Sequence, residues 1–366
     1  MMETIYTQKD SSIEALDDIK KGIKSKPKLV AFFASTKYDL NAIGKGLESS
    51  FPGSTVIGCS TAGELVTGRM LKDSVVVMAM DQHLVSNVTV EVVPDLGAAD
   101  GVANAFSSFE KKLGMNISGL DTKKYAGLIL IDGLRAAEER IMDAIGNFSD
   151  LTWIGGSAGD DLKFKETRVF ANGESRTNAA VLALIKLDKG FDVIKTQSFV
   201  QTGKKLKATS VDEACRTVIQ FNDQPAAKAY AAAIGYSSDK VSDGFMRYPV
   251  GIMINGEPFV RSPQRLENEK MVFYCNIKQG TELSILESRD IVKDTSAALQ
   301  EMTKALGHIS GIINFNCILR TLELDAKGQA DAYGQIFAKV PMVGFSTYGE
   351  EYIGHINQTA TMLVLK

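Results

Sequence analysis

The sequence predicts an α/β protein with mixed sheets flanked by helices, assembled from a repeated helix-strand-helix-strand-strand unit. Three observations carry this expectation. A glycine-rich string occurs three times: V-I-G-C-S-T-A-G-E at 56–64, W-I-G-G-S-A-G-D-D at 153–161 and M-V-G-F-S-T-Y-G-E-E at 342–351. Each string follows a helical pattern, an apolar run and a second helical pattern. The link from each string to the next apolar run is short, which points to antiparallel pairing there and argues against a purely parallel doubly wound sheet.

In the first copy, helical periodicity covers 11–24, the run K-L-V-A-F-F-A-S at 28–35 reads as a strand, and 40–49 is helical again. The motif then leads to D-S-V-V-V-M-A-M at 73–80. The second copy has a helix over 98–113, the strand Y-A-G-L-I-L-I-D at 125–132, an amphipathic helix over 135–148 and a closing strand at 179–186. The third is looser, with a helix over 291–306, a strand over 311–319 ending near Arg320, a short helix over 330–339 and T-A-T-M-L-V-L-K at 359–366. Between the second and third copies, 191–287 is rich in strand and hairpin signals, broken by an alanine-rich helix at 224–234. V-G-I-M-I-N-G-E at 250–257 resembles the motif, but Asn255-Gly256 between apolar runs is a two-residue hairpin turn signal. We therefore expect a leading helix at 1–27, a first domain at 28–221 and a second at 222–366, closely packed, with a pocket at their junction.

The chain has 366 residues, 45% of them hydrophobic, enough for substantial cores. With 41 basic and 44 acidic residues, a formal charge of -3 gives no sign of nucleic-acid binding, and G-K-K-L-K at 203–207 reads as a solvated turn. No apolar stretch approaches the roughly 20 residues needed to cross a bilayer, and the first residues lack the apolar core of a secretion signal, so a cytoplasmic location without membrane partners is expected. Cys59, Cys215, Cys275 and Cys317 show no CxxC pairing, which argues against a zinc knuckle or a disulfide framework. Cys215, in a helical string, and Cys275, in a strand, read as small buried groups. Cys59 lies inside the first motif and Cys317 beside Asn316, and both are candidates for a pocket.

Together with T-R-V-F-A-N-G after the second motif, F-V-R-S at 259–262 and F-N-C-I-L-R at 315–320, the three motifs resemble the FIST family, an N region followed by a C region. The resemblance implies a sensory module of bacterial signal transduction that binds a small ligand, with amino acids proposed, rather than an enzyme. With both regions using the chain throughout, it implies action on a separate signalling protein such as a histidine kinase, a chemoreceptor or a cyclic-di-GMP enzyme.

The motif chemistry is compatible with that. A buried amino acid needs an anion site for its carboxylate and acceptors for its ammonium. Backbone N–H groups of Gly-Ser-Gly turns can form a nest, Arg261 or Arg320 can fork onto a carboxylate, and Glu64, Asp160, Asp161 or Glu350 can accept from an ammonium. Ser60, Ser157, Ser346 and Tyr348 add hydroxyls from the same motifs. The carboxylates disfavour an exclusively phosphate-binding lip. The structural alternative is that these acids only satisfy turn N–H groups.

Three other readings stand beside it. Gly155-Gly156-Ser157-Ala158-Gly159 matches a G-x-S-x-G nucleophile elbow, but D-D-L-K-F-K after it reads as loop and strand where a helix is required. The family resemblance extends to members that sense nitric oxide through haem, for which His355 is the histidine nearest a motif; His83 and His308 follow a strand and a helix, and no CxxCH exists for covalent attachment. A partner-binding scaffold would need the motifs only to close the fold.

Overall fold

The computed structural model describes residues 1–366. They form two compact units: Met1–Lys195, Thr295–His355 and Ala360–Lys366 in the first, Thr196–Asp294 and Ile356–Thr359 in the second. No helix is long and apolar enough to cross a membrane.

The first unit follows one chain path three times. The first copy runs β1 (Met2–Thr7), α1 (Ser12–Gly22), β2 (Pro27–Ser35), α2 (Leu40–Ser50), β3 (Thr55–Thr61), a hairpin β4 (Glu64–Val66) and β5 (Arg69–Leu71), then β6 (Val75–Asp81). The second runs β7 (Asn87–Val93), α3 (Gly101–Leu113), β8 (Tyr125–Ile131), α4 (Glu138–Phe148), β9 (Thr152–Ser157), hairpin β10 (Val169–Ala171) and β11 (Glu174–Arg176), then β12 (Ala180–Lys186). The third opens with β13 (Phe191–Gln197) and is interrupted by most of the second unit. That insertion carries β14 (Phe199–Asp212), β15 (Thr217–Phe221), β16 (Gln224–Pro225), α5 (Ala226–Ile234), β17 (Val250–Ile254), β18 (Glu257–Arg261), β19 (Pro263–Glu267), β20 (Lys270–Phe273) and β21 (Glu282–Ser288). The third copy resumes with α6 (Ile291–Leu306), β22 (Gly311–Cys317), α7 (Ile318–Ala326), α8 (Ala330–Gln335) and β23 (Met342–Thr347). Hairpin β24 (Glu350–Tyr352) and β25 (His355–Ile356) and the last strand β26 (Thr359–Leu365) complete it.

Local chemistry starts and stops these elements. Ser11 caps α1 by accepting from the Glu14 N–H at 3.2 Å, Asp39 caps α2 through the N–H groups of Asn41 and Ala42, and α3 ends on Gly114 at φ 69°. The last strand of every copy follows a non-glycine residue in the left-handed region: Asp73 (φ 53°), Asn178 (φ 50°) and Gln358 (φ 50°).

In each copy the two strands joined through a helix, β2–β3, β8–β9 and β22–β23, are parallel, and the last strand lies antiparallel to the first of the pair. The mixed sheets expected from the sequence are therefore present. The hairpin after each motif strand leaves its own sheet. Thus β10 pairs with β3, β24 with β9, and β4 with β23. The resulting orders are β1-β6-β2-β3-β10-β11, β7-β12-β8-β9-β24-β25 and β13-β26-β22-β23-β4-β5, a cyclic exchange among three equivalent sheets.

Because the central strands are apolar on both faces, each sheet buries two sides. Inward residues of all three sheets, including Leu29, Phe33, Leu128, Leu130, Phe315, Phe345 and Leu363, share one interior, with Phe33 and Phe345 rings 4.7 Å apart. Outward residues Val30 and Phe32 pack under α1 and α2, and Ile129, Ile131 and Trp153 under α3 and α4. Full burial of such a side chain is worth about 1.5–3 kcal/mol.

The second unit is an eight-stranded sheet, β18-β17-β21-β14-β15-β20-β19 with β16 beside β15, covered by α5. The expected hairpin at Asn255-Gly256 is present, with φ 51° and 84°. Three sequence expectations are corrected. Cys215 is exposed in the turn between β14 and β15 instead of buried in a helix, because the apolar residues around it satisfy strand rather than helical spacing. Residues 203–207 lie within β14, whose register shifts between Gln201 and Lys205, so they form an irregular strand rather than a turn. Arg320 is on α7, which the sequence reading did not separate from the preceding strand.

Candidate functional site

The three motifs end side by side. The Gly159 N–H donates to Ser60 O at 3.0 Å, the Ala62 N–H to Ser346 O at 3.3 Å, and the Tyr348 N–H to Ser157 O at 3.1 Å, so each motif holds the next. The first glycine of every motif is a strand residue, not a turn. A Cβ at Gly155 would lie 1.9 Å from Ile129 O, at Gly344 1.9 Å from Asn314 O, and at Gly58 2.5 Å from Phe32 O. These glycines allow backbone to approach backbone.

Most polar groups of the motifs are spent locally. Ser60 Oγ accepts from the Arg168 N–H at 2.9 Å, and Ser346 Oγ lies 2.7 Å from Thr321 Oγ1. Buried Glu64 accepts from the N–H and hydroxyl of Ser74 at 3.1 and 2.6 Å and from Thr61 Oγ1. Burial pushes its pKa up to about 8, with the Asp161 charge adding to the rise and the hydrogen bonds from Ser74 and Thr61 opposing it. Asp161 Oδ2 accepts from Ser35 Oγ and the Thr36 N–H at 3.1 and 2.9 Å. Cys59 lies in the shared interior, where burial, then the carboxylates of Glu351 and Glu64, push its thiol well up, so no reactive thiolate is available.

Asp160 organises the loop that follows the second motif. Its carboxylate accepts from the N–H groups of Phe164, Lys165 and Glu166 at 2.9, 2.6 and 3.0 Å and from Tyr348 OH at 2.6 Å. Tyr348 OH in turn accepts from the N–H groups of Asp160 and Leu162 at 3.3 and 2.9 Å. Within this loop Asp161, Leu162 and Phe164 have φ of 54°, 62° and 50°, and the exposed Phe164 ring stacks on Tyr348 at 5.1 Å. Such strain persists only where surrounding bonds impose it. Tyr348→Phe, which removes the hydroxyl, is expected to lower stability by about 1–3 kcal/mol and to expose Lys163 and Lys165 to trypsin; an unchanged melt and cleavage rate would contradict this role.

The loop forms one wall of a cleft of about 900 Å³ at the carboxyl ends of β2 and β3, the end of a parallel pair where α/β sheets bind ligands. Ser35, Thr36, Asp39 and Lys45 line it from the first copy, Ser60 from the first motif, and Asp160, Lys163, Lys165 and Arg168 from the second motif and its loop. Arg168 is paired with Glu166 at 2.7 Å and Lys163 donates to Thr36 Oγ1 at 2.6 Å. Asp39 uses only Oδ1 for the α2 cap.

Family comparison fits this architecture. A FIST N domain model matches residues 28–224 and a FIST C domain model matches residues 226–352. The chain belongs to the FIST family. FIST domains are sensory domains of signal transduction. An uncharacterized protein of Methanocaldococcus jannaschii is 23% identical over 317 residues, covering 80% of this chain and 60% of that protein. The chain thus spans less than two thirds of that relative's length.

The remaining predicted residues of this FIST chain lie elsewhere. Arg261 belongs to the second unit, where its guanidinium donates to the carbonyls of Asn276 and Val260, both at 3.1 Å. Cys317 is buried at the junction of β22 and α7. Arg320 is buried, donating to Asn316 Oδ1 at 3.0 Å and Thr295 Oγ1 at 2.9 Å, with its guanidinium 5.8 Å from the Tyr333 ring. Glu350 and Ser157 are buried where β24 meets β9.

Ser157 is not placed as a nucleophile elbow: β9 runs into a loop and then β10, with no helix. Its hydroxyl lies 2.8 Å from Glu351 Oε1 and 3.2 Å from Glu138 Oε1, and Glu138 Oε2 is 3.7 Å from His355 Nδ1. Burial, then the Glu138 charge, pushes Glu351 well above the usual carboxylate range. His355 does not fit haem. Its Nδ1 faces Glu138, and its Nε2 packs so closely on Gly349 that a Cβ there would lie 2.4 Å away, whereas an axial ligand must point a nitrogen into a slot of porphyrin width. His83 and His308 are exposed.

Sequence reasoning missed Glu138, Glu351, Lys163 and Lys165. Glu351 was legible as the second acid of the G-E-E string, but adjacent strand residues face opposite ways and the string does not say which faces Ser157.

Proposed function

We propose that this FIST chain is a sensor of an amino acid or a similar small carboxylate metabolite, bound in the cleft at the carboxyl ends of β2 and β3. The observation that supports this reading is the cleft's lining: lysines 45, 163 and 165 at its walls, with the hydroxyls of Ser35, Thr36 and Ser60 and the second oxygen of Asp39. Lysines supply the charge for a carboxylate, and hydroxyls with a carboxylate oxygen supply acceptors for an ammonium. The volume falls in the range of small-molecule sites. Asp160 and Tyr348 act here by holding the loop that carries Lys163 and Lys165, rather than by touching the ligand. The strained loop is the element whose order the ligand changes, and the signal passes to a separate protein such as a histidine kinase, a chemoreceptor or a cyclic-di-GMP enzyme.

The test is thermal melting of the chain against the twenty amino acids and short dicarboxylates. A cognate ligand at a hundredfold over its dissociation constant adds about 2.7 kcal/mol, a rise of a few degrees. Lys45→Ala with Lys165→Ala, both exposed, is expected to abolish the rise while leaving the unliganded melt unchanged. No saturable rise with any compound, or a rise that survives the double substitution, would remove the cleft from consideration.

A further inference from the structure

In each copy a helix follows the first strand of the parallel pair: α2 after β2, α4 after β8 and α7 after β22. The positive end of such a helix favours a negative charge. The chain supplies one twice: Asp39 caps α2, and Glu138 and Glu139 occupy the first turn of α4. In the third copy no acid lies in the first turn of α7, no side chain caps it, and its third residue is Arg320. A cation stands where the other copies place an anion.

The surroundings of Arg320 do not neutralise it. The residue is 1% exposed, and no carboxylate forms an ion pair with it. Glu323, one turn further along α7, pairs with Lys327 at 2.6 Å. A guanidinium keeps its proton in a protein interior, so it cannot escape the cost of burial by becoming neutral as a carboxyl group does. Its partners are uncharged: Nε donates to Asn316 Oδ1, which also accepts from Tyr333 OH at 3.0 Å, and Nη2 donates to Thr295 Oγ1. The Tyr333 ring attracts the cation only weakly by comparison with an ion. Nη1 is buried and donates to nothing, which leaves both of its N–H groups over. The bond from Nε to Asn316, the penultimate residue of β22, turns the side chain back to the start of α7. The leftover donors and the uncapped helix therefore lie at the carboxyl end of the parallel pair β22–β23, the end at which α/β sheets bind ligands.

We propose that Arg320 binds a small monocarboxylate at the carboxyl ends of β22 and β23. One buried cation calls for one negative charge. The planar edge formed by Nη1 and Nη2 matches the two oxygens of a carboxylate. A phosphate dianion would bring a second charge with no second cation to meet it, and a halide offers no pair of oxygens. Since Nη1 is sealed from solvent, the carboxylate enters by local opening and leaves slowly. The site is separate from the cleft at β2 and β3, and either can be filled without the other.

The experiment follows the full chain, dialysed free of carboxylates, as ¹³C-formate, ¹³C-acetate, chloride or phosphate is added at constant ionic strength, with melting and NMR as readouts. One slowly exchanging carboxylate per chain is expected, with a saturable melting rise that chloride and phosphate do not reproduce. Arg320→Gln removes the charge and should lose both. Arg320→Lys keeps the charge without the fork and should bind formate at least about tenfold more weakly. In the wild type the proton of bound formate should show nuclear Overhauser contacts to the Arg320 side chain, a readout that stands even where the variants fail to fold. No saturable carboxylate binding, an equal rise with chloride or phosphate, binding that Arg320→Gln retains, or bound formate without contact to Arg320 would overturn the assignment. The Lys45→Ala, Lys165→Ala protein should keep formate binding, which distinguishes this site from the cleft.

Discussion

Gly344→Ala is expected to cost at least about 3 kcal/mol and to leave little folded protein at 37 °C. The added Cβ would lie 1.9 Å from Asn314 O and 2.7 Å from Asn314 C. These are backbone atoms of β22, which is fixed by β26 on one side and β23 on the other, so no side chain can move aside to make room. Gly155→Ala should behave alike against Ile129 O, whereas Gly58→Ala meets a Phe32 ring as well as its carbonyl. Gly146→Ala is the control: nothing lies within 4 Å of its added methyl in α4, and a gain of about 0.5–1 kcal/mol is expected. Urea melts of the set decide the matter. A Gly344→Ala protein within about 1 kcal/mol of wild type would show that the strands can separate locally.

Glu64→Gln is expected to stabilise the protein at alkaline pH and to flatten its pH dependence. The native pKa near 8 lies above the ordinary value of 4.5 in the unfolded chain. Between those values the native state holds more protons than the unfolded state, so stability falls as pH rises, by up to about 1.4 kcal/mol per unit, and levels off above pH 8. The groups around Glu64 are the Thr61 and Ser74 hydroxyls and the charge of Asp161, while Glu64 itself contributes to the raised pKa of Tyr38. Gln keeps an oxygen for the Ser74 donors and cannot ionise. The difference between variant and wild type should therefore grow from pH 5 to pH 8. Parallel stability curves over that range would show that Glu64 is ionised in the native state throughout.

The helices and long strands were legible because their apolar residues recur at helical or strand spacing over many residues, as in 40–49 and 125–132. The hairpins were not. Strands such as Glu64–Val66 and Val169–Ala171 have three residues, too few to show a period, and each pairs with a sheet far away in sequence. The motif chemistry was visible, but its division of labour was hidden: Gly58, Gly155 and Gly344 serve strand contact, and Glu64 and Asp160 hold turns. Among the cleft residues, Ser60 and Asp160 were found from the repeated string, while Lys163 and Lys165 were masked because a lysine in a polar loop carries no periodic signal. The insertion within the third copy was equally hidden, since β13 alternates like any neighbouring strand.

The exchange of hairpins has a consequence for how the chain reaches its native state. In a solenoid, repeats fold outward from any nucleus and the end repeats can fray. Here the sheet of the first copy is completed by the second, that of the second by the third, and that of the third by the first, so the ring has no terminal repeat to unravel. Residues near 65 must find partners near 344 before the last sheet closes, and loops of that length close late. Losing one hairpin would therefore leave an unpaired edge on the sheet of a different copy, so no copy of the first unit can complete its sheet alone.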